Sequence, residues 1–329
     1  MYNVVFVRHG ISCANLRKEV NPHSFPWKDH YKLPDPSLTP NGIAVAIKRG
    51  KALRKKLNTD FPGQAPIVCA STLMRAQLTA YLMMYPKIVH VIPYISEVGF
   101  RQTPDNTPYS YEEQEEILKG VGITRKTNIN KNYTTIKPNS DHFSTFLGGM
   151  IDNLYASQVD KSQADKSQAS KKYVKPLFVI FTHGHFIEKL LKKNGIHLKG
   201  KGDRPNYSAW RFRYNKKKGK LIPYTEKDKE AIKKEAIDDV SYIYTEDTDD
   251  QIIEGTECAA PEIENMCGIN ICDKKKNIPT PDTNTVRDTL TALLKPSSIY
   301  RVTKNKSRAL HLQEMVNHIG GRTRKKRRS

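Results

Sequence analysis

The chain has 329 residues, 37% of them hydrophobic, and 55 Lys and Arg against 34 Asp and Glu give it a net charge of +21. That length can bury a large α/β domain and leave room for an appended region, and the positive excess calls for anionic partners or substrates. The five cysteines, at 13, 69, 258, 267 and 272, include no Cys-x-x-Cys pair, which argues against a secreted disulfide framework and against a zinc site at Cys258, Cys267 and Cys272. The longest apolar runs are far below membrane-spanning length, and the N-terminus lacks a basic segment followed by an apolar one. A soluble intracellular protein with no membrane contact is expected.

In chain order, Val4-Val5-Phe6-Val7 is a short apolar run that stops at Arg8-His9-Gly10. It predicts a buried parallel strand delivering polar residues at its carboxyl end, the edge where open α/β sheets place ligands. Leu38-Thr39-Pro40-Asn41-Gly42 predicts a helix start capped by Thr39 with Pro40 in the first position, and Ile43, Ile47, Leu53 and Leu57 recur on its buried face. Ile67 to Ala70 predicts a second strand, leading into Ser71 to Ala76 and a helix to about Met84. A third run, Ile88 to Pro93, leads to Ser96-Glu97. The fourth, Leu177 to Phe181, ends in Thr182-His183-Gly184-His185 and a helix to about Lys193. The alternation of Ala209 to Tyr214 predicts one more strand, aromatic on one face and arginine on the other. Strand-then-helix units at this spacing predict a three-layer α/β sandwich, with a mostly parallel central sheet and helices on both faces.

Residues 101–140 are rich in Pro, Asn, Thr and Tyr around one acidic helix, Tyr111 to Leu118, and read as a lid or specificity insertion. A five-residue repeat in triplicate over 157–171 reads as a mobile polar loop. Residues 1–220 are expected to form one domain that holds these strand and helix units. Residues 221–319 form an extension of uncertain structure, in which nine acids lie between Glu235 and Glu257 without a Lys or Arg, and Val286 to Leu294 and Ser307 to Ile319 look helical. Residues 320–329 form a basic tail whose charges, within 322–328, could attract a polyanion or nucleic acid. Such tails, and the Lys-, Asn- and Ile-rich composition, resemble those of large DNA virus proteins.

Arg8-His9-Gly10-x-Ser12-x-x-Asn15 resembles the signature of the histidine phosphatase superfamily, also called phosphoglycerate mutase-like. Leu38, Thr39 and Gly42 match its Leu-Thr-x-x-Gly helix start. Ser71, Arg75 and Ala76 match its second arginine block, Glu97 its acid, and His183 with Gly184 its second-histidine block. Because His183 is followed by glycine and not aspartate, the chain looks like the mutase and small-molecule phosphatase branch.

The resemblance implies that His9 takes up the phosphoryl group, that Arg8, Arg75 and His183 bind its oxygens, and that Glu97 is the general acid. Forked guanidinium donors suit phosphate oxygens, and a neutral imidazole can attack phosphorus. Gly10, Ser12, Asn15, Gly184 and Arg101 are further candidates for substrate contact. Neither cofactor nor metal is called for. Cofactor-dependent mutases follow the acid with Arg-x-Tyr-Gly, whereas Glu97 is followed by Val98-Gly99-Phe100-Arg101. Hydrolysis of a phosphorylated small molecule or phosphoprotein is therefore expected, ahead of mutase-type transfer. The competing class is a non-catalytic phosphatase-like scaffold that grips polyanions; nucleophile and acid together speak against it. The sequence sets no oligomeric state.

Overall fold

Four consecutive β-favouring apolar residues near the N-terminus lie at the centre of a six-stranded sheet. The computed structural model describes residues 1–20, 33–84, 88–97, 103–120, 136–164, 176–196, 205–225 and 282–293. Strand β1 (Tyr2–Arg8) is followed by α1 (Cys13–Val20), α2 (Pro40–Asp60), β2 (Pro66–Ala70), α3 (Met74–Met84), β3 (Val89–Val91), a 3-10 turn (Pro104–Asn106), α4 (Tyr111–Gly120) and α5 (Ser140–Ala164). Then come β4 (Leu177–Thr182), α6 (Gly184–Lys193), β5 (Ala209–Asn215), β6 (Lys220–Pro223) and α7 (Thr283–Leu293). The strand order is β3-β2-β4-β1-β5-β6. Strand β1 pairs parallel with β4 and antiparallel with β5; β2 pairs parallel with β4 and β3, and β6 closes the far edge antiparallel to β5.

The period-2 alternation of strand side chains sorts the core into two layers. Val5, Val7, Val68, Ala70, Val179 and Phe181 face α2 and α3, while Val4, Phe6, Phe178, Ile180, Trp210 and Phe212 face Phe143, Leu147 and Ile151 of α5 and Phe186, Ile187 and Leu190 of α6. This is the expected α/β sandwich with helices on both faces. Helix α2 starts as its sequence dictates: Thr39 accepts a hydrogen bond from the Gly42 amide at 2.9 Å, with Pro40 in the first turn. Gly42 has a second reason to be glycine, because a Cβ there would lie 2.2 Å from the Ile11 carbonyl oxygen.

Two sequence expectations need correction. Helix α5 runs through Ala164, so the first part of the repeat over 157–171 is helical and not a loop; Gln, Ala and Lys are good helix formers, and a five-residue polar repeat does not oppose a helix. The remainder lies outside the described residues. The domain boundary at 220 falls at the start of β6, which belongs to the sheet. Leu290 of α7 is fully buried in the core, and Arg287 pairs with Glu116 of α4, so part of the extension packs on the domain. The bases on β5 find partners within the domain. Arg211 pairs with Asp60 at 2.7 Å and stacks on Tyr224, and Arg213 donates to the Tyr224 carbonyl. That face is partly covered by the protein's own groups.

Among the described residues no helix is long and apolar enough to cross a membrane. Cys69 is a free buried thiol, and Cys13 is disulfide-bonded. Cys258, Cys267 and Cys272, the predicted helix Ser307 to Ile319 and the basic tail lie outside the described residues.

Candidate active site

The ladder register brings the motifs together. Arg8 of β1 lies beside Thr182 of β4, and the His9 amide donates to the Thr182 carbonyl at 2.9 Å. The Ser71 amide, just past β2, donates to the Phe181 carbonyl. Three parallel strands thus end at one edge with His9, Ser71 and His183 side by side, and the His9 and His183 rings are 5.0 Å apart.

Both rings are buried. Burial, followed by the charges of Arg75 and Arg8, holds His9 well below the ordinary histidine value. His183 is lowered in the same way, by burial and then by Arg75, His9, Arg8 and His185. Both imidazoles are therefore neutral at neutral pH. His9 Nδ1 lies 2.7 Å from the Gly10 carbonyl oxygen, which can only accept, so Nδ1 carries the proton and Nε2 keeps its lone pair. His183 Nε2 is 2.8 Å from Ser71 Oγ, while its Nδ1 is buried without a hydrogen-bond partner.

The guanidinium of Arg75 enters from the first turn of α3. It donates to the Asp105 carbonyl at 2.6 Å and to Asn106 Oδ1 at 2.8 Å. Glu97 follows β3, with Oε2 4.0 Å from His183 Nδ1 and Oε1 3.5 Å from the exposed His185. Ligand-type atoms of His9, Glu97 and His183 lie within 4.8 Å of one another, a spacing that could also hold a cation. The neighbouring charges of Arg8 and Arg75 favour an anion instead.

The structure thus assembles Arg8, His9, Arg75, Glu97 and His183. It gives the secondary candidates other surroundings. The Ser12 amide donates to Asn15 Oδ1 at 3.0 Å and Ser12 Oγ accepts from the Asn15 amide, the reciprocal pattern of a capping box at the start of α1. The Gly10 amide donates to Thr79 Oγ1, and a Cβ at Gly10 would lie 2.5 Å from the Tyr207 ring, so glycine is needed there for close approach. Gly184 lies against the Arg8 side chain. Arg101 lies outside the described residues.

Sequence reasoning missed the groups that hold the motif. Asn206 Nδ2 donates to the carbonyls of His9 and Gly10 at 2.9 and 3.0 Å. Tyr207 Oη accepts from the Ile11 amide and donates to the Gly42 carbonyl. No spacing rule links 206–207 to 9–11. The one available signal is their place just before the predicted strand at 209.

No family model matches the chain, and no curated protein does. Solved structures are similar. Phosphoserine phosphatase from Entamoeba histolytica is 19% identical over 68% of this chain and 96% of that one, with a TM-score of 0.33. A mycobacterial glucosyl-3-phosphoglycerate phosphatase is 16% identical over 67% and 95%, with a TM-score of 0.36. Phosphoglycerate mutase from Bacillus anthracis is 16% identical over 71% and 96%, with a TM-score of 0.35. The likeness is low in each case, and the site stands on its own geometry: a mostly parallel sheet that gathers Arg8, His9, Arg75, Glu97 and His183 at the carboxyl edge agrees with the chain's resemblance to the histidine phosphatase superfamily.

Proposed function

We propose that the protein is a phosphomonoester hydrolase of the histidine phosphatase type, working through a phosphohistidine at His9. The observation that carries this reading is the state of His9: a buried neutral ring with Nδ1 committed to Gly10 and Nε2 free, beside two guanidinium groups. Nucleophile and anion-binding charge are thereby separated on neighbouring residues. A phosphate drawn in by Arg8 and Arg75 meets an imidazole that is not protonated.

In the first step the His9 Nε2 lone pair forms the N–P bond, the ester P–O bond breaks, and Glu97 gives its proton to the leaving oxygen. In the second step water attacks phosphorus, the N–P bond breaks, and the Glu97 carboxylate takes the proton from water. His183, with Ser71 donating to Nε2, would present Nδ1–H to a non-bridging oxygen. Its orphaned buried nitrogen supports that role. The net charge of +21 suits phosphorylated small molecules or phosphoproteins as substrates.

The test is rapid mixing with a labelled phosphomonoester and alkaline quench. The expected result is an acid-labile, alkali-stable phosphoenzyme that is absent from His9→Ala. Steady release of phosphate by that variant would overturn the assignment. Mutase-type transfer is the second reading, favoured by the shared residue set and opposed by Val98-Gly99-Phe100 after the acid. Labelled 3-phosphoglycerate with a trace of 2,3-bisphosphoglycerate separates the two: phosphate release should exceed isomerisation.

A further inference from the structure

Asp35 lies in the Pro34-Asp35-Pro36 turn before α2, outside every motif used above, yet only 1% of it is exposed. Its backbone has φ +38°, a left-handed conformation that non-glycine residues rarely adopt and that Asp tolerates better than most. Both carboxylate oxygens are engaged. Oδ1 accepts from the amide of Met74 at 2.7 Å, and Oδ2 accepts from the amide of Tyr109 at 3.0 Å and from Gln114 Nε2 at 2.9 Å. The Asp35 amide in turn donates to the Pro104 carbonyl at 3.2 Å.

These contacts converge on Arg75. Met74 is the first residue of α3, so its amide has no acceptor within the helix, and a carboxylate there also suits the helix dipole. Arg75 is the next residue. Pro104 and Tyr109 bracket Asp105 and Asn106, the two residues that hold the Arg75 guanidinium. One carboxylate therefore fastens the helix start that carries the arginine to the loop that aims it. We propose that Asp35 is a positioning residue for Arg75, setting the guanidinium for the substrate phosphate. This rests on the phosphohistidine reading above.

The charge on Asp35 matters because all three of its side-chain partners are donors. Burial raises its carboxyl to about 6, against the opposing effects of the Met74 and Tyr109 amides, Arg75 and Gln114. The ionisable groups facing this cluster are Arg75 on α3, Asp105 and Tyr109 on the loop, and Glu113 on α4, with Asp282 beside Tyr109. A proton on Asp35, or an Asn in its place, turns one oxygen into a donor facing donors.

The test uses the full chain, an aryl phosphate as substrate and inorganic phosphate as inhibitor, in wild type, Asp35→Asn, Arg75→Gln and the double variant. Asp35→Asn should lower kcat/KM about tenfold at pH 7.5 and weaken phosphate inhibition by a similar factor, as expected for losing bonds to an ionised acceptor. In the Arg75→Gln background it should cost little more. The ratio of wild-type to Asp35→Asn kcat/KM should shrink as pH falls through about 6; ionisation of the substrate phosphate is common to both proteins and cancels. Equal Asp35→Asn losses with and without Arg75, or a flat ratio, would make the role merely structural and overturn the proposal. A loss in Arg75→Gln with none in Asp35→Asn overturns the positioning role alone, and no loss in either overturns the phosphate reading as well. If Asp35→Asn does not fold, Gln114→Met removes one donor to the same carboxylate, and the same four-way comparison decides with a smaller expected loss.

Discussion

Arg8, His9 and His183 leave the ends of two adjacent parallel strands, whereas Arg75 and Glu97 are held from a helix start and from the loop after β3. The first group is fixed by backbone ladders, such as the bond from the His9 amide to the Thr182 carbonyl. The second depends on side chains: the Arg75 guanidinium on Asp105 and Asn106, and Glu97 between His183 and His185. A ladder cannot shift without unpairing a sheet, while side-chain contacts can be exchanged one at a time. The strand-end wall should therefore tolerate little rearrangement, and the contacts of the loop wall should be adjustable one at a time.

The sharpest way to break this division is at the nucleophile. His9→Ala should lower phosphate release from an aryl phosphate by about 10⁴-fold or more, with the circular dichroism spectrum and unfolding midpoint little changed, because no group on the loop wall can replace Nε2. On the loop wall, Glu97→Gln should slow alkyl phosphates by roughly 10²-fold or more and nitrophenyl phosphate much less, since only a poor leaving group needs the proton. Equal slowing across leaving groups would remove Glu97 from the role of acid.

The strand-end wall should also show itself in stability. His9 and His183 are held neutral in the fold, below the unfolded value of about 6.5, so between those values the unfolded chain binds more protons and is favoured as pH falls. Their effect on stability is constant above about pH 6.5 and turns against the fold below it, by up to about 1.4 kcal/mol per pH unit for each ring. Asp35, raised to about 6 in the fold, acts in the opposite sense between 6 and 3.8. With two rings against one carboxyl, the urea midpoint should fall between pH 7.5 and 5.5. His9→Gln should show a smaller fall.

The strand-end wall was legible because its residues are contiguous with their strands. A buried run that stops at Arg8-His9 or Thr182-His183 says where the side chains will be, and the antiparallel β5 announced itself by alternation. Glu97 was found only through the order of motif blocks. Asn206, Tyr207, Asp35 and the loop at 103–109 escaped because their partners are 30 to 200 residues away in sequence, and a hydrogen bond across such a distance leaves no periodic trace. Helix α5 escaped for a different reason: its repeat looks like low complexity, although its Gln, Ala and Lys residues favour a helix.

The smallest expected effect lies farthest from either wall. On β5, Arg211 has 23% of its side chain exposed and is paired with Asp60, itself 11% exposed. Partial burial of both partners makes this pair worth more than a fully exposed one, but it is still a contact between long side chains with solvent at its rim. Arg211→Ala should therefore destabilise by about 0.5–1.5 kcal/mol, part of it from lost stacking on Tyr224. Phosphatase turnover should be unchanged, and so should retention on heparin once the single lost charge is allowed for by comparison with an exposed change, Lys51→Ala. A fall in heparin retention well beyond that of Lys51→Ala would mean that the Asp60 pair opens to polyanions, and would make the β5 face a binding surface.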